Sequence, residues 1–296
     1  MATPRIVVVT RPSDYESLLA RHGTREQARF FLSTRGQDIA VAEHGDAEQH
    51  AAEAVISRAI PSQVRRSNVT RSDLSRFLFE PDDIVVCIGQ DGLVANVAKY
   101  LAGQLVIGIL PGKRTDGVLA RHEAAAARGL LATALAGKVK VEERTMVEAV
   151  TDDGVRLLAL NEIFAGHRTH QSARYRVRKD DVVEERQSSS GVIVATGTGA
   201  TGWARSISLG RIACPELPKP CDPGLVFFVR EAFPSGTTGT KVVAGLVDGA
   251  SPLALVSEMN EGGTIFGDGI EDDAVDFRWG LSATIRPAKE RLRLVI

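Results

Sequence analysis

The apolar run Ile84-Val-Val-Cys-Ile88 is followed by the turn Gly89-Gln90-Asp91-Gly92, a helical pattern over residues 93–101 and a second apolar run over 105–110. This stretch constrains the fold more than any other. Five consecutive β-branched and small apolar residues read as a strand buried on both faces. Strand, turn, helix and strand within 27 residues make a βαβ unit, which requires a parallel sheet. Residues 5–10 add a strand that opens the fold. Thr24 is positioned to cap a helix running to Gly36, residues 38–42 form a short strand candidate, and residues 47–59 and 72–79 read as helices.

Past Lys138 the character changes. Strands are expected at 139–143 and 146–150, with Asp152-Asp153-Gly154 as a hairpin turn before 155–160. Short strands recur at 173–177, 182–185 and 192–195. A helix follows Gly202, and strands resume at 224–229, 241–245, 253–256, 274–277, 283–286 and 291–295. Regular short strands with Gly and Asp turns indicate a sandwich or layered sheet. The expected architecture is an α/β N-terminal domain with a parallel sheet (1–136) and an all-β, sandwich-like C-terminal domain (137–296). The last 15 or so residues are candidates to pack back on the first domain.

A chain of 296 residues is long enough for two such domains. Its 36 Lys and Arg against 37 Asp and Glu give a net charge of -1, without the basic excess of a nucleic-acid binder. Its apolar runs are strand-sized, too short for a membrane span. The N-terminus enters a strand without a signal-like apolar region, and Cys87, Cys214 and Cys221 make no disulfide framework, so a reducing cytoplasm is expected. No CxxC or HExxH spacing offers a metal site, and no GxSxG elbow offers an acyl-transfer nucleophile.

Three turns carry chemistry. Gly89-Gln90-Asp91-Gly92 joins a strand end to a helix start, where backbone N–H groups can meet phosphate. Asp91 there accepts a hydroxyl proton, holds a metal ion, or simply caps the helix. Thr196-Gly197-Thr198-Gly199-Ala200-Thr201-Gly202 contains a literal GxGxxG, but no βαβ return with an acidic residue follows, so a Rossmann dehydrogenase is excluded. It remains either a close-approach site for a ligand or a β-to-helix junction that needs glycine. Asn161-Glu162 can grip a ribose diol or an amide edge. Ser257–Thr264, with Glu258 and Glu261 at a Gly turn, is a weaker candidate of the same kind.

Taken in chain order, these turns resemble the three signature blocks of the NAD kinase family. The first is a Gly-Gly-Asp-Gly-Thr turn, resembled by Gly89-Gln90-Asp91-Gly92-Leu93. The second is the Asn161-Glu162 pair, and the third runs from Thr196 to Trp203. The Thr-Gly-Thr-Gly and Trp203 are most similar to the mitochondrial-type branch and its bacterial relatives. The resemblance implies ATP-dependent phosphorylation of the 2′-hydroxyl of the adenosine ribose of NAD, giving NADP, with Mg²⁺ accompanying ATP. It implies that Asp91 accepts the hydroxyl proton and that Gly89 and Gly92 let backbone approach phosphate. It further implies that Asn161 and Glu162 hold the ribose and adenine side. Thr196, Thr198, Gly199 and Thr201 would then line the dinucleotide pocket, with Trp203 stacking on it or walling it. Self-association as a homodimer or larger assembly is also implied.

The chain departs from the family pattern at Gln90, Leu93, Ala200 and the Leu110-Pro111-Gly112 segment, where Lys113 and Arg114 follow and can serve phosphates instead. Two alternatives therefore stand beside the kinase. One is a catalytically silent NAD(P)-binding or sensing protein of the same fold. The other is a kinase of another hydroxyl, a lipid being the least favoured acceptor for a chain with 5% aromatic residues and no membrane-binding helix.

Overall fold

The computed structural model describes residues 4–112, 117–180 and 184–296. Lys113, Arg114, Val182 and Val183 lie outside the described residues. The chain divides into two compact units. One contains the residues up to Glu142 together with Arg293–Ile296, and the other spans Glu143–Leu292.

In the first unit β1 (Ile6–Thr10) leads to helices α1 (Asp14–His22), α2 (Arg25–Ser33) and α3 (Ile39–Ala59). Then come β2 (Arg66–Thr70), β3 (Ile84–Ile88), α4 (Asp91–Ala98), β4 (Leu105–Leu110), the short β5 (His122–Glu123) and α5 (Ala127–Leu135). The sheet order is β2–β1–β3–β4, parallel throughout, as the βαβ pattern requires. Ile6, Val8, Ile84, Val86, Ile88, Ile107 and Ile109 pack on one face against Ala52 and Ile56 of α3 and Leu131 of α5. Val7, Val9 and Val85, which point the other way, are equally buried, so these strands carry no polar face.

The helix caps are local and explicit. Ser13 and Glu16 form a reciprocal capping box at the start of α1, and the Thr24 hydroxyl accepts from the Gln27 N–H at 3.2 Å. Residues 38–42 are not a strand. Asp38 accepts from the Ala40 N–H at 3.0 Å and caps α3, a helix of 21 residues with Ile39, Ala52 and Ile56 buried. The helix expected at 72–79 is a 3₁₀ segment, Arg71–Arg76.

The second unit holds two antiparallel sheets. The first contains β6 (Val141–Thr151), β7 (Arg156–Ala159), β9 (Ala173–Lys179), β10 (Glu185–Ser189), β14 (Leu253–Ser257) and the 14-residue β17 (Ser282–Val295). The order β10–β9–β14–β17 continues through β6 to β7. The second sheet contains β8 (Glu162–His167), β11 (Val192–Ala195), β12 (Leu225–Val229), β13 (Ala244–Val247), β15 (Gly263–Gly267) and β16 (Ile270–Asp276), ordered β13–β12–β11–β8–β15–β16.

One apolar core joins Tyr175, Val177, Leu253, Leu255 and Ile285 of the first sheet to Ile163, Val192, Val194, Phe227 and Ile265 of the second, which is the expected sandwich. The far face of the second sheet, with Phe164, Ile193, Val226 and Phe228, is covered by α6 (Trp203–Leu209) through Ala204, Trp203 and Ile207. Strands expected at 139–143 and 146–150 are the single β6, and those at 283–286 and 291–295 are the single β17. Pro287 falls between the residues of β17 that pair with β14 and those that pair with β4. No helix among the described residues is long and apolar enough to cross a membrane.

Candidate functional site

The first turn lies at the end of β3, whose five residues are all buried. Gly89 donates to the Ile109 carbonyl at 3.0 Å, and Leu93 donates to that of Gln90 at 2.9 Å, which starts α4. Gln90 is exposed, while Leu93 is 2% exposed and packed into the unit's interior. The leucine that stands where the resembled motif has threonine is therefore a core residue. Asp91 is the first residue of α4 and does not cap it. Its Oδ1 accepts from the N–H groups of Leu119 (3.0 Å) and Ala120 (2.8 Å), and its Oδ2 from that of Val118 (2.8 Å). A carboxylate has about four lone-pair positions, so one on Oδ2 is left for another donor.

The other two turns meet in the second unit. Asn161 and Glu162 occupy the bend between β7 and β8. The Asp268 carboxylate accepts from the N–H groups of Leu160 (2.9 Å), Asn161 (2.6 Å) and Glu162 (3.3 Å), and the Asp268 N–H returns to the Glu162 carbonyl at 3.0 Å. On the carbonyl side, Thr196 N–H donates to Asn161 O at 2.9 Å and Thr196 Oγ1 to Leu160 O at 2.6 Å. The same hydroxyl accepts from the N–H groups of Thr198 (3.1 Å) and Gly199 (3.2 Å), folding the third turn onto the second. The approach is so close that a Cβ on Gly199 would lie 2.1 Å from the Asn161 carbonyl oxygen.

The bend's backbone is thus held from both sides, and its side chains are what it presents. Among the described residues no hydrogen bond engages the Asn161 amide or the Glu162 carboxylate. The Thr198 hydroxyl is buried and has no hydrogen-bond partner among the described residues. Thr201 is exposed and donates to Thr198 O at 2.9 Å. Trp203 stacks on Phe164 with ring centroids 6.0 Å apart and carries the Arg230 guanidinium 5.2 Å above its ring. The indole is engaged in the small core under α6 as well as being close to the turn.

Asp268 is not among the residues that the sequence singles out, where Glu258 and Glu261 stand instead. Glu258 is ion-paired with Arg176 and Arg186. The only local signal for Asp268 is Gly267-Asp268-Gly269, an ordinary hairpin turn in which the aspartate adopts a left-handed φ of 56°.

Burial, reinforced by the charge of Asp268, pushes the Glu162 carboxyl up to about 7. An unfolded chain releases that proton near 4.5, so between these values the native state binds more protons and stability falls as pH rises. Glu162→Gln is expected to remove that dependence and to stabilise the protein at pH 8 by on the order of 2 kcal/mol. Urea unfolding at pH 5 and pH 8 checks this; a variant-to-wild-type difference equal at both values would refute it.

No family model matches the sequence. Over 142 residues the chain is 33% identical to the NAD kinase of Burkholderia multivorans, covering 46% of each, and over 145 residues 32% identical to that of Clostridium tetani, covering 47% of this chain and 52% of that one. The chain spans about half the length of these curated relatives. A crystal structure of an Archaeoglobus fulgidus NAD kinase in complex with ATP superposes with a TM-score of 0.60 at 21% identity, covering 99% of this chain and 93% of that one.

The fold is that of the NAD kinases. Yeast NADH kinase complexed with NADH agrees, with a TM-score of 0.60 at 16% identity over 100% of this chain and 84% of that one. The resemblance drawn from the three turns is borne out, as is the expected pairing of an α/β region with antiparallel β sheets. Within this NAD kinase fold, the second and third turns form one hydrogen-bonded assembly with Asp268.

Proposed function

We propose that the chain transfers the γ-phosphoryl group of ATP, brought with its Mg²⁺, to the 2′-hydroxyl of the adenosine ribose of NAD, acting in the cytoplasm as a homo-oligomer. The observation that carries this reading is the Asn161–Glu162 bend, pinned through its backbone while its amide and carboxylate stay unengaged. Two adjacent side chains of this kind suit a ribose diol and an adenine edge: ionised Glu162 accepts from hydroxyls, and the Asn161 amide both donates and accepts. Thr196 and Gly199 hold that bend, while Thr198 and Thr201 offer hydroxyls beside it, and Trp203 walls the turn. At the first turn, the lone pair that Asp91 keeps on Oδ2 is suited to accept the 2′-hydroxyl proton as the phosphoryl group arrives. Gly89 and Gly92 leave the strand end without side chains that would hold phosphate off. Phosphoryl transfer asks mainly for positioning and charge neutralisation, which a fixed carboxylate and a rigid bend provide.

The test is an end-point assay with purified protein, NAD, ATP and Mg²⁺, reading NADP with an NADP-specific dehydrogenase. Wild type is expected to give product, and Asp91→Asn to lower kcat by about 10²–10⁴-fold while leaving NAD affinity within a few fold. A variant with full rate would remove Asp91 from proton transfer.

The burial of Leu93 favours a second reading, a silent dinucleotide binder, because no hydroxyl faces phosphate there. That reading expects calorimetric NAD binding without product.

A further inference from the structure

Three successive backbone N–H groups, those of Val118, Leu119 and Ala120, converge on the Asp91 carboxylate at 2.8–3.0 Å. Consecutive N–H groups turned to one point make an anion-binding concavity, a backbone nest. The loop that presents them is wedged in place. Leu119 and Ala120 are 3% and 0% exposed, and a Cβ on Gly108 of β4 would lie 2.3 Å from the Leu119 carbonyl oxygen. The buried N–H groups of Leu119 and Ala120 need an acceptor if the carboxylate is withdrawn, whereas Val118 lies at the exposed end of the nest.

We infer that residues 118–120 form a carboxylate-binding nest whose built-in occupant is Asp91, so that Asp91 is a positioning residue for this loop in addition to any part in proton transfer. The part in proton transfer rests on the kinase reading; the nest does not. The nest selects for chemistry: two oxygens on one planar group, with negative charge, at the spacing of three adjacent amides. A small free carboxylate meets that description, one oxygen for Leu119 and Ala120 and the other for Val118, whereas a spherical anion offers one point where the donors reach two oxygens. Asparagine meets it in part. Its Oδ1 can accept from Leu119 and Ala120, but its NH₂ group then faces the Val118 N–H, donor against donor.

Hydrogen exchange of the full chain, resolved to single amides by fragmentation, tests this on wild type, Asp91→Ala and Asp91→Asn. The added probe is sodium formate, with sodium chloride at equal ionic strength as control. In Asp91→Ala the amides of 118–120 are expected to exchange at least about 10-fold faster than in wild type, at a cost equivalent to about 1.4 kcal/mol. Formate is expected to restore most of the protection and chloride none. Wild-type exchange at these amides in Asp91→Ala, or acceleration that formate leaves untouched, would overturn the nest. Should the alanine variant unfold, Asp91→Asn decides: acceleration centred on Val118 supports the inference, and wild-type exchange there refutes it. Turnover is read separately. A wild-type protein that makes no NADP defeats the kinase reading and leaves this exchange pattern as expected.

Discussion

Asp268→Ala is expected to lower the unfolding free energy by about 3–5 kcal/mol, a large share of the stability of an ordinary domain. The wild-type carboxylate satisfies the N–H groups of Leu160, Asn161 and Glu162 at once. Alanine leaves all three donors without their acceptor and places a Cβ residue with no polar side chain at a left-handed φ of 56°. A second, opposite effect accompanies the loss. Removing the negative charge of Asp268 takes away one of the two causes that raise the Glu162 carboxyl, leaving burial alone, so Glu162 should titrate below its present value of about 7. Asp268→Asn separates the two effects. It tolerates the left-handed turn and keeps one acceptor oxygen, so it should cost about half as much while lowering the Glu162 titration just as far. Denaturant unfolding and an NMR titration of Glu162 read the two consequences independently. An alanine variant as stable as wild type would show that the bend is held by something else.

The second large effect is expected at Gly199. A Cβ there would sit 2.1 Å from the Asn161 carbonyl oxygen and 2.6 Å from its carbon, and neither atom can swing away as a side chain would. Gly199→Ala must therefore push the third turn off the second, stretching the bonds from Thr196 to Asn161 and Leu160. The expected outcome is a loss of about 2–4 kcal/mol in stability and of about 100-fold in dinucleotide affinity. Gly210, just past α6, is the matched control. Its Cβ would meet nothing closer than the Ile207 carbonyl oxygen at 3.8 Å, and its φ of -88° suits any residue. Gly210→Ala should change stability by less than about 0.5 kcal/mol. Calorimetric titration with NAD on both variants checks the pair; equal affinities would separate the turn from ligand binding.

How much of the molecule is legible in its sequence depends on whether the information is local. The run at 84–88, the turn after it and the next strand declare a parallel sheet because buried parallel strands need uninterrupted apolar residues. The Thr24 cap is readable for the same reason, and the Ser13-x-x-Glu16 box is just as local. Residues 38–42 mislead because Asp38 followed by a short apolar group suits both a strand and a capped helix; packing of Ile39, Ala52 and Ile56 decides it. Strand joins at 144–145 and 287–290 are hidden because charged and proline residues interrupt the apolar pattern without interrupting the ladder. Within the site, the three turns are visible as motifs, but their mutual locking is not. Asp268 reaches the bend from more than a hundred residues away, and Leu93 reads as a missing hydroxyl until its burial shows a core side chain. The carboxylate of Asp91 reads as a base from its neighbours in sequence, and as a loop anchor only once residues 118–120 are seen around it.

β17 has a consequence for any shortened version of the first unit. Arg293 and Leu294 pair with Leu105 and Val106, the Val295 carbonyl is bonded to the His122 ring, and Ile296 donates to Lys140. The parallel sheet that contains β1 is therefore extended by residues far along the chain, beyond the whole of the second unit. Without them the Leu105–Val106 end of β4 lacks its partner strand, β5 covering only Ile109 and Leu110, and is open to unwanted pairing. A gene fragment encoding residues 1–142 would inherit the same open edge permanently. Fusing the segment 293–296 onto it through a short linker would supply the missing pairing at Leu105 and Val106.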